Sequence, residues 1–187
     1  MSDHELTDRE RAEASKKELQ GADFSATDLS GADLRRGNLV EANLSGADLT
    51  EARLNYADLT QANLGKAVLC YAILIDANLS GVNLIEADLK EADLSHAKLD
   101  QADLENTNMD RTNLSGADLR KALNLTCEQV ESAVIDKKTR FPSYLEVTWP
   151  YVGRHGANFL CKIRTPEQTG KKKKKFDFHY SKLNQLG

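Results

Sequence analysis

The chain is 187 residues long, carries 29 acidic against 25 basic side chains for a net charge of −4, and is 40% hydrophobic. No run approaches the ~18 apolar residues of a membrane span, and the charged stretch from Ser2 to Gln20 lacks the apolar core of a signal peptide. The charge is uneven: residues 22–121 sum to −8 and residues 122–187 to +6, an acidic body with a basic tail.

Cys70, Cys127 and Cys161 are odd in number and show no CxxC spacing, which predicts reduced thiols and a cytoplasmic location.

Residues 1–21 are predicted to form a short helix. Thr7 followed by Glu10 is a capping box, Asp8 to Gln20 is rich in helix formers, and Gly21 is a stop. The apolar content is thin: Leu6, Ala12, Ala14 and Leu19. That suits a lid over an exposed edge of the adjoining segment, or else a helix offered to a partner.

From Ala22 to Lys121 one five-residue phrase repeats twenty times without a gap: small residue, Asp or Asn, Leu, then two variable positions. The third position is Leu in eighteen copies, with Phe24 and Met109 in the other two. The first is Ala in fifteen and otherwise small. The second departs from Asp or Asn only at Arg53, Val68, Ile73 and Lys98. In a straight helix the leucines would step by ~140° and smear round the axis. In a continuous strand an odd period would send them to alternate faces. A short extended piece and then a corner keeps small residue and leucine facing one axis.

The pattern resembles the pentapeptide-repeat family, whose copies run small residue, Asp or Asn, Leu or Phe, and two polar positions. The resemblance implies an all-β fold: a right-handed quadrilateral β-helix with four copies per coil and short N- and C-terminal capping helices. Five coils result, 22–41, 42–61, 62–81, 82–101 and 102–121. Leu44, Leu64, Leu84 and Leu104 then stack above Phe24. Asn43, Asn63 and Asn83 stack nearer the surface, able to pass amide hydrogen bonds between coils. At a strand spacing of about 4.8 Å the five coils stand about 24 Å tall. Isolated coils are not expected to be stable.

Most outward positions are polar. One coil departs from this: Val68, Cys70, Tyr71, Ile73 and Ile75 fall at outward or corner positions, with Tyr56 one coil below on the side of Ile75. Such patches mark contacts, so these six residues are the candidate partner-binding or self-association belt. Scattered surface apolar residues, or a covering loop, are the plainer alternatives.

The register breaks at Ala122 to Leu125. Thr126 with Gln129 forms a second capping box, and Val130, Ala133 and Val134 make one face of a short helix reaching to about Asp136 and lying across the end of the rod. Residues 122–142 are assigned to this second cap and an exit through Pro142. In the basic tail, 143–187, short strands are expected at Tyr144 to Trp149, Asn158 to Arg164 and Phe176 to Tyr180. Lys171, Lys172, Lys173, Lys174 and Lys175 run into aromatics. This is a candidate contact for nucleic acid or an acidic partner, against a solvated tail or one folded back on its own rod.

No catalytic, metal or cofactor motif is present. His4, His96, His155 and His179 lack ligand spacing, and the aspartates are turn formers. A packed rod is expected to offer no cleft. The expected role is a non-enzymatic protein-interaction scaffold without cofactor. The resemblance adds an alternative, since some family members protect type II topoisomerases by mimicking DNA. The column Asp28, Asp48 and Asp88 supplies charge for that, while Val68, Asn108 and the basic tail count against it.

Overall fold

The structure, a computed structural model, describes residues 6–148 and 159–164. In the repeats the chain bends once per copy. The leucine carbonyl accepts the N–H of the next small residue, as Leu29 does from Ala32 at 3.0 Å, closing a tight turn. The fifth residue of every copy from Ala26 to Gly116 has positive φ, between 53° and 71°. Left-handed backbone costs an L-residue roughly 1–2 kcal/mol. Four of these corners are glycine, and most of the rest donate their N–H to the coil above, as Tyr56 does to Ile75 at 3.0 Å.

Parallel bridges join residues twenty apart, so four copies complete a coil. One column runs Asp23, Asn43, Asn63, Asn83, Asp103; the other three start at Asp28, Asp33 and Asn38. Asn63 N–H donates down to the Ala42 carbonyl at 2.9 Å, Leu64 N–H up to Asn83 at 2.8 Å, and Lys66 N–H up to Ile85 at 2.9 Å. Repetition of this pattern makes the repeat region a β-helix solenoid. The leucines and small residues of the repeats line a continuous buried core, with Leu44, Leu64, Leu84 and Leu104 above Phe24. The amide ladder forms as the stacking predicts. Asn43 donates to Asp23 at 2.9 Å, Asn63 to Asn43 at 3.3 Å, and Asn83 to Asn63 at 3.0 Å.

Helix α1 (Asp8–Ala14) starts at the Thr7 capping box. It is shorter than the sequence predicts because the chain turns back onto the first coil. Glu13 accepts the Asp33 N–H at 2.8 Å, the Lys16 carbonyl accepts the Asn38 N–H at 2.7 Å, and Ala12 is buried. Two downward-pointing N–H groups of the first coil are thereby satisfied.

The opposite edge is closed face by face. Leu123 N–H donates to Ala102, Val134 N–H to Thr112 and Arg140 N–H to Ala117, each through backbone. On the remaining face, helix α2 (Cys127–Ser132) replaces the strand, and the Gln129 side chain donates to Leu104 and Thr107 carbonyls at 2.8 and 2.9 Å. The expected helical face at Val130, Ala133 and Val134 is therefore corrected. Val130 and Ala133 are buried, but Val134 is extended, paired with Asn113 and 50% exposed. Ladder hydrogen bonds to the last coil outweigh one more helical turn.

Strands β1 (Leu145–Thr148) and β2 (Leu160–Ile163) pair antiparallel. They bring Cys161 to the first residue of α2, where it forms a disulfide with Cys127 at a Cα separation of 5.4 Å. This overturns the expectation of three reduced thiols, since only Cys70 is free. The two partners lie 34 residues apart and meet only because the hairpin returns over α2. The strand expected at Phe176 to Tyr180 and the Lys171–Lys175 run lie outside the described residues.

Candidate interaction surfaces

The second and fourth residues of each copy point outward, and the fifth projects from a corner. Val68 and Cys70 share one face, Ile73 and Ile75 the next, and Tyr71 stands on the corner between them. Val68, Tyr71 and Tyr56 are 37%, 50% and 57% exposed; Cys70, Ile73 and Ile75 are half-buried. The Arg36 guanidinium lies over the Tyr56 ring, 5.6 Å from its centroid. Burial raises the Cys70 pKa, with Asp88 adding to the effect.

Acidic groups border the belt, with Arg36, Arg53 and Lys90 among them. Val68 is bridged to Asp48 and Asp88, and Ile73 to Arg53 and Asp93. The Tyr71 hydroxyl donates to Glu91 at 3.4 Å. In the column Asp28, Asp48, Val68, Asp88, Asn108, the first two aspartates and Asp88 accept the N–H two residues on, at 2.9 to 3.0 Å. Hydrogen bonds from the Ser30 hydroxyl and N–H hold the Asp28 carboxyl below its ordinary range. These are turn-forming contacts, and they leave the charge facing solvent.

The structure also contains an open groove of about 580 Å³ between the fourth and fifth coils and the loop after α2, lined by His96, Lys98, Gly116, Lys137, Lys138 and Arg140 among others. The expectation that a rod offers no cleft is corrected: the loop crossing the end creates one. Lys98, an exception at the second position, was its only signal in the sequence. Among the described residues, no cluster of three or more His, Cys, Asp or Glu is placed to hold a metal. No helix among them is long and apolar enough to cross a membrane.

The twenty-residue coil and buried leucine column define a repeat protein of the β-helix solenoid class. The Pentapeptide repeats family model matches in eight copies across residues 18–55, 27–65, 47–84, 62–97 and 87–123, more than half of the chain. The chain belongs to the pentapeptide-repeat family. Among solved structures it is similar to HetL, a pentapeptide repeat protein involved in heterocyst differentiation regulation from the cyanobacterium Nostoc sp. strain PCC 7120. The identity is 36% over 62% of this chain and 54% of that one, with a TM-score of 0.52. The match thus spans about half of HetL. Rfr23 from the cyanobacterium Cyanothece 51142 is 36% identical over 59% of this chain and 64% of that one, with a TM-score of 0.44. QnrB1, a plasmid-mediated fluoroquinolone resistance protein, is 19% identical over 65% of this chain and 87% of that one, with a TM-score of 0.32. No curated protein sequence matches the chain.

Proposed function

We propose that the chain is a non-enzymatic docking scaffold: a right-handed, four-sided rod of five coils, with α1 and α2 as caps. Its contact surface is the belt of Tyr56, Val68, Cys70, Tyr71, Ile73 and Ile75. The observation that carries this reading is the exposure of Val68 and Tyr71 beside the half-buried Cys70, Ile73 and Ile75, with Tyr56 on the far corner, where the outward positions of the coils are mostly polar. The neighbouring carboxylates of Asp48, Asp88 and Asp93 favour a protein partner with an apolar centre and a basic rim. The test is Ile73→Asp, which restores the usual residue of the second position and preserves the coil. The variant is expected to keep its circular dichroism and melting temperature while losing partner binding or self-association, read by analytical ultracentrifugation and affinity capture. Unchanged binding and oligomeric state would remove the belt.

A second reading, DNA mimicry toward a type II topoisomerase, draws on the solvent-facing carboxylates of Asp28, Asp48 and Asp88. Purified protein that neither inhibits nor protects gyrase in a supercoiling assay excludes it. The proposed nucleic-acid contact at Lys171–Lys175 is checked by salt-sensitive oligonucleotide binding. A cytoplasmic location requires the Cys127–Cys161 pair to be reduced in place; counting alkylated thiols on protein taken from intact cells decides this.

A further inference from the structure

We propose that the groove at the end of the rod is a binding site for a small phosphate monoester, held as its dianion. The site is independent of the apolar belt. Its four cations come from two places in the fold, and a histidine stands beside them. Lys98 and Arg140 stand in one column above and below Asp118, and His96 lies on the adjoining corner, beneath Gly116. Lys137 and Lys138 come from the loop that crosses the end.

That loop is fixed to the rod. The Asp136 carboxylate accepts from the Gly116, Lys138 and Thr139 N–H groups, each at 2.9 Å, and from the Thr139 hydroxyl at 3.1 Å. The buried Thr139 hydroxyl also lies 2.9 Å from the Leu114 carbonyl. The lysine backbone is thus held in place before any ligand arrives, which reduces the ordering cost of binding.

The charges are unequal. Arg120 engages Asp118 through two nitrogens at 2.9 and 2.7 Å, leaving Arg140 a longer contact of 3.6 Å. Among the described residues Lys98, Lys137 and Lys138 make no ion pair. Four exposed cations, Lys98, Lys137, Lys138 and Arg140, stand near the carboxylates of Asp118 and Asp136, a surplus of two on a rod that is acidic elsewhere. A phosphate monoester carries close to two negative charges at neutral pH. Ammonium and guanidinium groups are the side chains that bind it. A volume of about 580 Å³ accommodates the phosphate together with its carrier, since small-molecule sites span about 300–1,000 Å³. Gly116 leaves room for the His96 ring beside the groove: a Cβ there would sit 2.5 Å from the His96 Nδ1.

The test is calorimetric titration of the full chain with ribose 5-phosphate, with inorganic phosphate and ribose in parallel, at about 50 mM salt. Saturable binding of ribose 5-phosphate and none of ribose is expected. Lys98→Asn, which restores the usual second-position residue, and Lys138→Gln should each weaken binding by about tenfold, the worth of one charge-assisted contact. A full chain with Lys171–Lys175 all changed to Gln should bind as the native chain does. Binding of inorganic phosphate alone keeps the dianion site and identifies free phosphate as its source. The proposal is overturned if neither phosphate compound binds saturably. It is also overturned if the two groove variants, shown folded by circular dichroism, bind as tightly as the native chain, or if affinity falls with the five-lysine change instead.

Discussion

Asp118 receives hydrogen bonds from the Arg120 guanidinium, which hold its carboxyl below the ordinary range; Asp33 stands in the same relation to Arg35. A carboxyl whose folded pKa is depressed stabilises the fold fully above its unfolded pKa, about 3.9. The contribution fades as pH falls through the folded value, so both pairs act unchanged at neutral pH and weaken only in acid below about pH 4. Arg120→Met should raise the Asp118 titration midpoint toward the ordinary value, followed by NMR of the carboxyl carbon. A midpoint that stays put would assign the shift to another cause. In the interior, Leu64 is fully buried between the leucines of the coils above and below. Leu64→Ala is expected to cost about 2–5 kcal/mol through lost burial and the cavity left behind, read from the urea midpoint.

Helix α2 closes one face of the rod with a side chain where the other three use backbone, and Gln129 carries that substitution. Its Oε1 accepts the Thr126 N–H at 2.8 Å within the capping box while its Nε2 serves the carbonyls of Leu104 and Thr107. Gln129→Ala strands the Thr107 carbonyl and leaves that of Leu104 only the Thr107 N–H at 3.2 Å, and should lower stability by about 1–3 kcal/mol, seen as a drop in melting temperature. No change would mean that water takes over the two bonds. The capping box was legible from Thr126 and Gln129 alone; the second task of Gln129 was not, because it depends on which carbonyls the last coil leaves open. The same limit applies elsewhere. A period of five dictates which residues turn inward, so the inward leucines and the outward position of Val68 or Ile73 can be read from local spacing, whereas the leucine column and the asparagine ladder also need four copies per coil, which only the family resemblance implies. The Cys127–Cys161 bond and the groove at Lys98 arise where distant segments meet; spacing carries no trace of the bond and marks the groove only through the break in pattern at Lys98.

Across the whole molecule each coil bonds only to its neighbours, so a disturbance at one end should stay there. The disulfide closes a 34-residue separation, worth about 4 kcal/mol in the chain-entropy account. Reduction, or Cys127→Ser, should speed hydrogen exchange in Leu145–Thr148 while exchange in residues 22–61 remains as before. A rod that loosened throughout would show that its cooperativity reaches further than neighbour contacts. The identical hand-over of bonds from coil to coil has a last consequence: length is a quantised variable in this chain. Excising 62–81 would splice Gln61 to Gly81's successor Val82 with every column still in phase, giving a shorter protein that lacks most of the belt. Removing any number of residues that is not a multiple of five would scramble inside and outside for everything downstream.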